Sequence, residues 1–352
     1  MRRAAVLTVA LSAVLVLVLP AGAQPDERRV TDPTATSEPE CPDWAMYGND
    51  VQRTFETRCP SAIAPQNIDS LVPLWAFKTT KTVTASPAVA DGRVFVGDWT
   101  GTMYALDADT GEELWQVTTE PAPGAPFGPI VSSAAVTDVT VDGATTTLVV
   151  FGAGPRLYTL DAEDGAEVWV RYFGADVPDE QTEIESSPVV HEGVVYVGMD
   201  VHNRTVDQTG GVRGGLWALD AATGETLWFF DPELGQEASG CSSVWSSPTV
   251  DDARQQVYLA TGNCPHDDYP WTPHTEAVTA LDLETGEPVW SFQPEPENRD
   301  DTDFGATPNL FRDRAGREIL GIGKKNAVYY ALDPATGEEL WSTQVAEPGN
   351  FG

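Results

Sequence analysis

Two stretches of the sequence bring together residue types that do acid–base chemistry. Residues 300–303 read Asp-Asp-Thr-Asp, and Lys324 stands next to Lys325. A carboxylate can accept a proton from a substrate, and an ammonium group can stabilise negative charge as it develops. The other interpretation of the acidic run is a solvated loop, which is common in a chain with 54 Asp and Glu residues. The chain has only 20 Lys and Arg residues, so two adjacent lysines are not well explained as ordinary solvent-exposed residues.

A third stretch offers side chains that bind metals. His266, Asp267, Asp268 and His274 lie close together in the sequence. Their spacing fits no standard metal site. We therefore interpret this stretch as a loop inserted over one face of the domain.

The four cysteines, Cys41, Cys59, Cys241 and Cys264, allow three disulfide pairings. Cys241 and Cys264 flank two strand-like runs, and the turn between those runs lies midway between the two cysteines. They would face each other across a hairpin within disulfide reach. Cys41 with Cys59 follows by elimination. The chain has no C-x-x-C, which disfavours a structural zinc site or a redox dithiol.

Composition restricts both the fold and the partners. The net charge of −34 repels phosphate backbones and anionic lipid headgroups, so nucleic-acid binding is excluded as a main function. The 31 Gly, 27 Pro and 11 Trp residues favour many turns between short strands over a helical protein.

The N-terminus has the pattern of an export signal. Arg2 and Arg3 precede an apolar run, and Ala21-Gly22-Ala23 fits signal peptidase, so we expect a signal peptide over residues 1–23. The alternative is an uncleaved anchor, but the run is short for a membrane span. Residues 24–40 read as a polar, disordered stalk, and the folded domain is expected over residues 41–352. Export predicts a secreted or periplasmic protein that does not span the membrane after cleavage.

One phrase recurs along the rest of the chain and closes on a tryptophan. It reads Ala-Leu-Asp-x-x-Thr-Gly-Glu-x-x-Trp at residues 105–115, and related copies end at Trp169, Trp228, Trp290 and Trp341. Each copy follows short Val- and Tyr-rich runs separated by Gly-containing turns, which predicts four-stranded meanders. Four-stranded units repeated radially form an all-β propeller. A β-solenoid is the structural alternative.

The phrase resembles the tryptophan-docking repeat of the pyrroloquinoline-quinone (PQQ) propellers. Residues 44–50 (Trp-Ala-Met-Tyr-Gly-Asn-Asp), followed by Arg53 and Thr54, resemble the opening segment of quinoproteins close to polyvinyl-alcohol dehydrogenase. The same propeller is used by quinoprotein alcohol and sugar dehydrogenases and by a non-catalytic outer-membrane assembly lipoprotein. The resemblance therefore implies the fold more strongly than it implies one function.

Further motifs resemble the quinoprotein active site. By this resemblance Trp245, in residues 240–245, would stack under the PQQ ring, and Asn263 would ligate Ca²⁺. Asp303, followed by Phe304 and Gly305, would be the general base and a second Ca²⁺ ligand. The cation at the quinone oxygens would be Lys325, and its neighbour Asn326 would also contact the cofactor.

The sequence also departs from the quinoprotein pattern. Asn203 stands near the position where the alcohol dehydrogenases have a Glu calcium ligand, and an amide brings no charge to the ion. Arg213 matches a loop near the cofactor but is expected to form a loop ion pair. The chain has no pair of adjacent cysteines and no C-x-x-C-H haem motif, so electrons would leave to a separate acceptor.

The repeat count predicts part of an eight-bladed propeller. Five complete phrases are present, and Trp75 closes a lone strand before them, so we expect five blades plus one strand and a C-terminally incomplete domain. The resulting functional hypothesis is PQQ-dependent oxidation of a small or polymeric alcohol, or of a sugar hydroxyl. The alternatives are a non-catalytic binding or assembly scaffold, and a fragment that keeps site residues without function.

Overall fold

The structure is a computed structural model that describes eleven parts of the chain. The described residues are 14–17, 43–57, 59, 63–122, 128–141, 143–174, 182–201, 213–235, 242–263, 271–296 and 301–347. A 3₁₀ turn at Ile68–Ser70 is the one helical element in these parts. No helix among them is long and apolar enough to cross a membrane.

Five four-stranded antiparallel sheets confirm the predicted blades. Two further strands, β1 (Val14–Leu17) and β2 (Pro73–Phe77), pair with each other. The strands of the sheets, in chain order, are β3 (Ala88–Ala90), β4 (Arg93–Gly97), β5 (Thr102–Asp107) and β6 (Glu113–Thr118) in blade 1; β7 (Ala135–Val141), β8 (Ala144–Ala153), β9 (Arg156–Asp161) and β10 (Glu167–Tyr172) in blade 2; β11 (Val189–His191), β12 (Val194–Met199), β13 (Gly215–Asp220) and β14 (Thr226–Phe230) in blade 3; β15 (Thr249–Asp251), β16 (Gln256–Ala260), β17 (Val278–Asp282) and β18 (Pro288–Phe292) in blade 4; and β19 (Asn309–Arg312), β20 (Glu318–Gly323), β21 (Val328–Leu332) and β22 (Glu339–Gln344) in blade 5.

Each blade is a meander in which every strand pairs with the next along the chain. The first strands of neighbouring blades contact each other, so β3, β7, β11, β15 and β19 line the axis. β2 is the lone strand predicted from Trp75. Its partner β1 falls inside the predicted signal peptide, so cleavage after Ala23 would separate the two strands.

The repeated phrase joins each blade to the following one. Five of the six docking tryptophans, all except Trp341, donate the indole N–H to a carbonyl in the next turn. The five pairs are Trp75 to Ala108 (2.9 Å), Trp115 to Ala162 (3.1 Å), Trp169 to Ala221 (2.9 Å), Trp228 to Leu283 (3.2 Å) and Trp290 to Pro334 (3.1 Å). The ring covers the turn glycine. At Gly111, for example, φ is +72°, and a Cβ would lie 2.4 Å from the Trp75 ring. Only glycine satisfies both the left-handed backbone and this close approach.

A second set of bonds joins the blades near the axis. In blades 1 to 4, a residue just before the first strand donates its amide to a hydroxyl of the next blade: Ser86 to Ser133 (2.8 Å), Ser133 to Ser187 (3.0 Å), Ser187 to Ser247 (2.9 Å) and Ser247 to Thr307 (3.3 Å). Side-chain acceptors thus satisfy the amides where the sheet ladders have not yet begun.

Residues 44–53, which we call the hub segment, tie the blades together at the axis. Its carbonyls accept amides from four blades, in the pairs Trp44 with Val89 (2.8 Å), Ala45 with Val136 (2.7 Å), Val51 with Val250 (2.8 Å) and Gln52 with Leu310 (3.0 Å). Blade 3 is reached by Arg53, whose guanidinium donates to the carbonyls of Ser187 and Pro188, each at 3.1 Å. The same guanidinium bonds the carbonyls of Pro248 and Tyr47.

Arg53 is completely buried, and burial lowers its pKa to about 10. Replacing it by Met would leave several buried carbonyls without donors, and each such loss costs about 1–3 kcal/mol. We expect Arg53→Met to lower the free energy of unfolding by about 3 kcal/mol or more in urea denaturation. The control is Arg312→Met, because that side chain is 62% exposed and its ion pair should contribute less than about 1 kcal/mol. Equal stability of the two variants would contradict the role given to Arg53.

Candidate functional site

A cavity of about 360 Å³ opens at the axis among the first strands. Aromatic rings of Tyr47, Trp99 and Trp245 line it together with the hydroxyls that join the blades near the axis. Trp245 precedes β15, and Gly305 precedes β19. A Cβ at Gly305 would lie 2.4 Å from the Trp245 ring, so a glycine is needed for the indole to pack against this backbone.

Three residues that the sequence places far apart meet beside this cavity. The Trp245 indole N–H donates to Asp303 Oδ2 at 3.1 Å. Lys325 Nζ lies 2.7 Å from Asp303 Oδ1 and 5.1 Å from the centre of the Trp245 ring. The Lys325 amide also donates to the Asp303 carbonyl at 3.0 Å, so the main chain fixes this pair as well. An aromatic face, a carboxylate and an ammonium group therefore converge at one point.

Burial makes Asp303 a stronger base than an exposed aspartate. The residue is 1% exposed, and burial raises its pKa, although Lys325 and the Trp245 indole N–H oppose that shift. Burial by itself would lower the pKa of Lys325, but Asp303 and Asp301 outweigh it and raise the value. Asp301 contributes directly, since its Oδ1 lies 2.7 Å from Lys325 Nζ. The lysine therefore stays charged while it touches the carboxylate.

A second buried ion cluster lies next to the first and was not predicted. The side chains of Lys324 and Glu276 are fully buried, with Lys324 Nζ 3.4 Å from Glu276 Oε2. Lys324 also pairs with Glu295, which is 41% exposed. Burial raises the pKa of Glu276 to about 7, and Lys324 only partly offsets it. The adjacent lysines were the sequence signal for this cluster, but no local pattern marks Glu276 or Glu295.

The other candidate residues have different environments. Asn326 donates to Glu295 (3.3 Å) and Tyr330 (3.4 Å) and accepts from the Val328 amide, so its amide stabilises the turn between β20 and β21. Asn263 is half-buried just after β16, where its carbonyl accepts the Ser242 amide at 3.2 Å. Asn203 lies outside the described residues.

Arg213 forms the ion pair expected of it, with Asp231 at 3.0 Å and Glu233 at 3.6 Å. The group of metal-binding side chains considered above falls mostly outside the described residues, which include only His274. That imidazole is buried among hydroxyls, with Nδ1 2.7 Å from Ser291 Oγ, and burial lowers its pKa. Cys41, Cys241 and Cys264 also lie outside the described residues, so both disulfides stay predictions.

Comparison with known proteins decides the family. The model of the PQQ family, described as the glucose/ethanol/alcohol dehydrogenase β-propeller domain, matches residues 44–347. The chain belongs to this PQQ propeller family. A polyvinylalcohol dehydrogenase of Sphingopyxis sp. (strain 113P3) is 28% identical over 329 residues, which are 81% of this chain and 48% of that protein.

Solved structures agree with this PQQ propeller assignment. The quinohemoprotein alcohol dehydrogenase from Comamonas testosteroni superposes with a TM-score of 0.70 at 25% identity, over 87% of this chain and 49% of that one. BamB from Moraxella catarrhalis, at 19% identity and a TM-score of 0.52, covers 78% of this chain and 67% of that one and shares the fold alone. The chain spans about half the length of the curated relatives it matches.

The raised pKa of Glu276 makes stability depend on pH. Folding raises this pKa from 4.5 to about 7, so the wild-type protein loses stability as the pH rises through this range, whereas the Glu276→Gln variant does not. We expect the unfolding free energy of Glu276→Gln, relative to that of wild type, to increase by up to about 3 kcal/mol between pH 5 and pH 8. Urea denaturation at each pH measures this difference. Glu284→Gln, at an exposed carboxylate of the same blade, should show no such trend. A constant difference between wild type and Glu276→Gln would contradict the raised pKa.

Proposed function

We propose that the chain forms the cofactor-binding part of a PQQ-dependent dehydrogenase that oxidises an alcohol or a sugar hydroxyl. The observation that carries this proposal is the meeting of Trp245, Asp303 and Lys325 beside the axial cavity. The relatives are named alcohol dehydrogenases, and their similarity over most of this chain supports the same chemistry.

The residues present fit a planar, polyanionic quinone. Trp245 offers an aromatic face, and Gly305 allows that ring to lie close against the main chain. Lys325 supplies a positive charge next to the ring, and serine hydroxyls line the cavity as further donors. A tricyclic carboxylate needs this combination of stacking, charge and hydrogen bonding. Asn326, one residue beyond Lys325, stays a proposed cofactor contact.

When bound, PQQ would supply the carbon that accepts hydride from the substrate. Asp303 would accept the hydroxyl proton of that substrate, which is the role of a general base. Lys325 would stabilise the negative charge that develops on the quinone oxygens. Its ammonium group is already held in place by Asp301 and Asp303. The burial of Asp303 keeps bulk water from competing for its carboxylate.

We further propose that the site binds a Ca²⁺ ion in addition to PQQ. Its ligands would be Asp303, Asn263 and Asn203, of which the first two lie in the described residues. Oxygen donors of this kind suit Ca²⁺, although two of the three carry no charge. A separate electron acceptor and a secreted or periplasmic location complete the hypothesis.

The test is reconstitution with PQQ and Ca²⁺, followed by dye reduction with small and polymeric alcohols. We expect alcohol-dependent turnover in wild type and a loss of about 100-fold or more in Asp303→Asn, because a general base contributes at least that much. Asp109→Asn, at an exposed turn of blade 1, is the matched control and should keep full activity. PQQ binding without turnover would favour an inactive fragment, and no binding would favour a scaffold.

A further inference from the structure

A second group of side chains that can bind a metal lies away from the cavity, on the seam between blades 3 and 4. His191 ends β11, Glu192 begins the turn from β11 to β12, and Asp252 lies in the turn from β15 to β16. Trp245 lines the cavity and precedes β15, whereas Asp252 follows β15, so the cavity and this group lie at opposite ends of one strand. The group therefore takes no part in the chemistry proposed above.

The ligand atoms of the three residues are close enough to share one ion. His191 Nε2 lies 3.1 Å from Asp252 Oδ1, and one ligand atom of each residue lies within 4.8 Å of the other two. Two ligands that are each about 2.1 Å from a tetrahedral ion are about 3.4 Å apart. The His191–Asp252 pair is already within this separation. Rotation of the exposed Glu192 side chain can close the remaining distance of about 1.4 Å or less.

Negative charge at this group is not balanced by a basic side chain. Within the part of the chain that the structure describes, no lysine or arginine pairs with Glu192 or Asp252, and Arg254 pairs with two other carboxylates instead. Glu192 also faces the seam. Burial and the charge of Glu192 raise the pKa of Tyr196, whose hydroxyl donates to the Leu283 carbonyl of blade 4 at 3.4 Å. A divalent cation would offset the charge of the two carboxylates.

Neighbouring contacts hold two of the three ligands in place. Gln255 Nε2 donates to the Asp252 carbonyl at 2.8 Å and to Asp252 Oδ1 at 2.9 Å. His191 belongs to a strand of the sheet, and its side chain is only 16% exposed. A ligand that is already oriented loses less conformational freedom when the metal binds, so groups of this kind strengthen metal sites. The imidazole also sets this group apart from a purely acidic cluster, because imidazole suits zinc and the transition metals.

From this geometry we propose that His191, Glu192 and Asp252 bind one Zn²⁺ ion that joins blade 3 to blade 4. One imidazole nitrogen and two carboxylate oxygens are ligands that Zn²⁺ accepts, and a water molecule completes the tetrahedron. Ca²⁺ and Mg²⁺ are disfavoured, because both prefer oxygen ligands alone. The ion replaces the direct bond between His191 and Asp252 and stabilises the fold. It needs neither PQQ nor the proposed dehydrogenase activity.

The first test is a calorimetric titration of the full chain with ZnCl₂, without an affinity tag and in saturating Ca²⁺ so that sites for hard ions are filled. We expect one Zn²⁺ per chain. His191→Gln and Asp252→Asn should each weaken binding by about ten-fold or more, because each removes a ligand. Glu225→Gln, at an exposed turn of blade 3, is the matched control and should bind Zn²⁺ as wild type does. Absence of binding in wild type would overturn the proposal, as would wild-type affinity in His191→Gln.

The exposed ligand supplies a variant that does not disturb the sheets. Glu192→Gln changes a solvent-exposed carboxylate in a turn and should also weaken Zn²⁺ binding. The zinc-free variants should keep the circular dichroism spectrum of zinc-free wild type, so that lost affinity reflects a lost ligand. Full affinity in a folded Glu192→Gln would show that this carboxylate is not a ligand and would overturn the three-residue site.

X-ray absorption at the zinc edge identifies the ligands directly. Wild type should show nitrogen and oxygen ligands at about 2.0–2.1 Å together with the outer scattering of one imidazole. The imidazole signal should be lost in His191→Gln. A shell of oxygen alone in wild type would contradict the site, and an imidazole signal that persists in His191→Gln would assign the ion to another histidine.

Zinc should also stabilise the folded chain. An ion that binds only the folded seam raises the thermal midpoint, and at about 100 times its Kd we expect a rise of about 2 °C or more. His191→Gln should show no such rise at the same zinc concentration. A midpoint that zinc leaves unchanged in wild type would mean that the ion does not depend on the folded seam, which would overturn the proposed link between the blades.

Discussion

The seam between adjacent blades is the constraint on which the site depends. Trp245 and Glu276 belong to blade 4, whereas Asp303 and Lys325 belong to blade 5, so no single sheet contains the chemistry. That seam is fixed at its rim by Trp290, whose indole bonds the Pro334 carbonyl, and near the axis by the Ser247–Thr307 bond. A small rotation of one blade would pull the Asp303 carboxylate away from the indole that orients it.

The charged side chains of this fold have two different environments, the docking turns and the buried seam between blades 4 and 5. The net charge of the chain is −34, and the docking turns use their carboxylates locally, as where Asp107 accepts the amide and the hydroxyl of Thr110. Buried charges are different, because each needs a partner. At the seam two lysines are shared among four carboxylates, so negative groups are brought close together in a place that is partly shielded from water.

The sequence predicted the propeller because the docking phrase recurs wherever the tryptophan of one blade packs on the glycine-containing turn of the next blade. Trp115 and Gly165 illustrate this, since each lies in a copy of the eleven-residue phrase and the same contact recurs between the following blades. Resemblance to a known family predicted Asp303 and Lys325, which lie together. Glu276 could not be found in this way, because its partner Lys324 lies in another blade and the pairing leaves no local pattern. Arg53 belongs to the opening motif, but its acceptors lie in blades 3 and 4, far away in the sequence, so no local pattern predicts those bonds.

The contacts of the hub segment also limit the order in which the chain can fold. The segment is made before any blade, yet the acceptor of the Arg53 Nε bond is the carbonyl of Pro248, 195 residues later. Until blade 4 has been synthesised, the guanidinium has no complete set of partners, and the axis stays open. Contacts of such long range slow folding, because the closure of a long loop precedes any gain from the contact. We expect the blades to form their own sheets first and the centre of the propeller to be completed last.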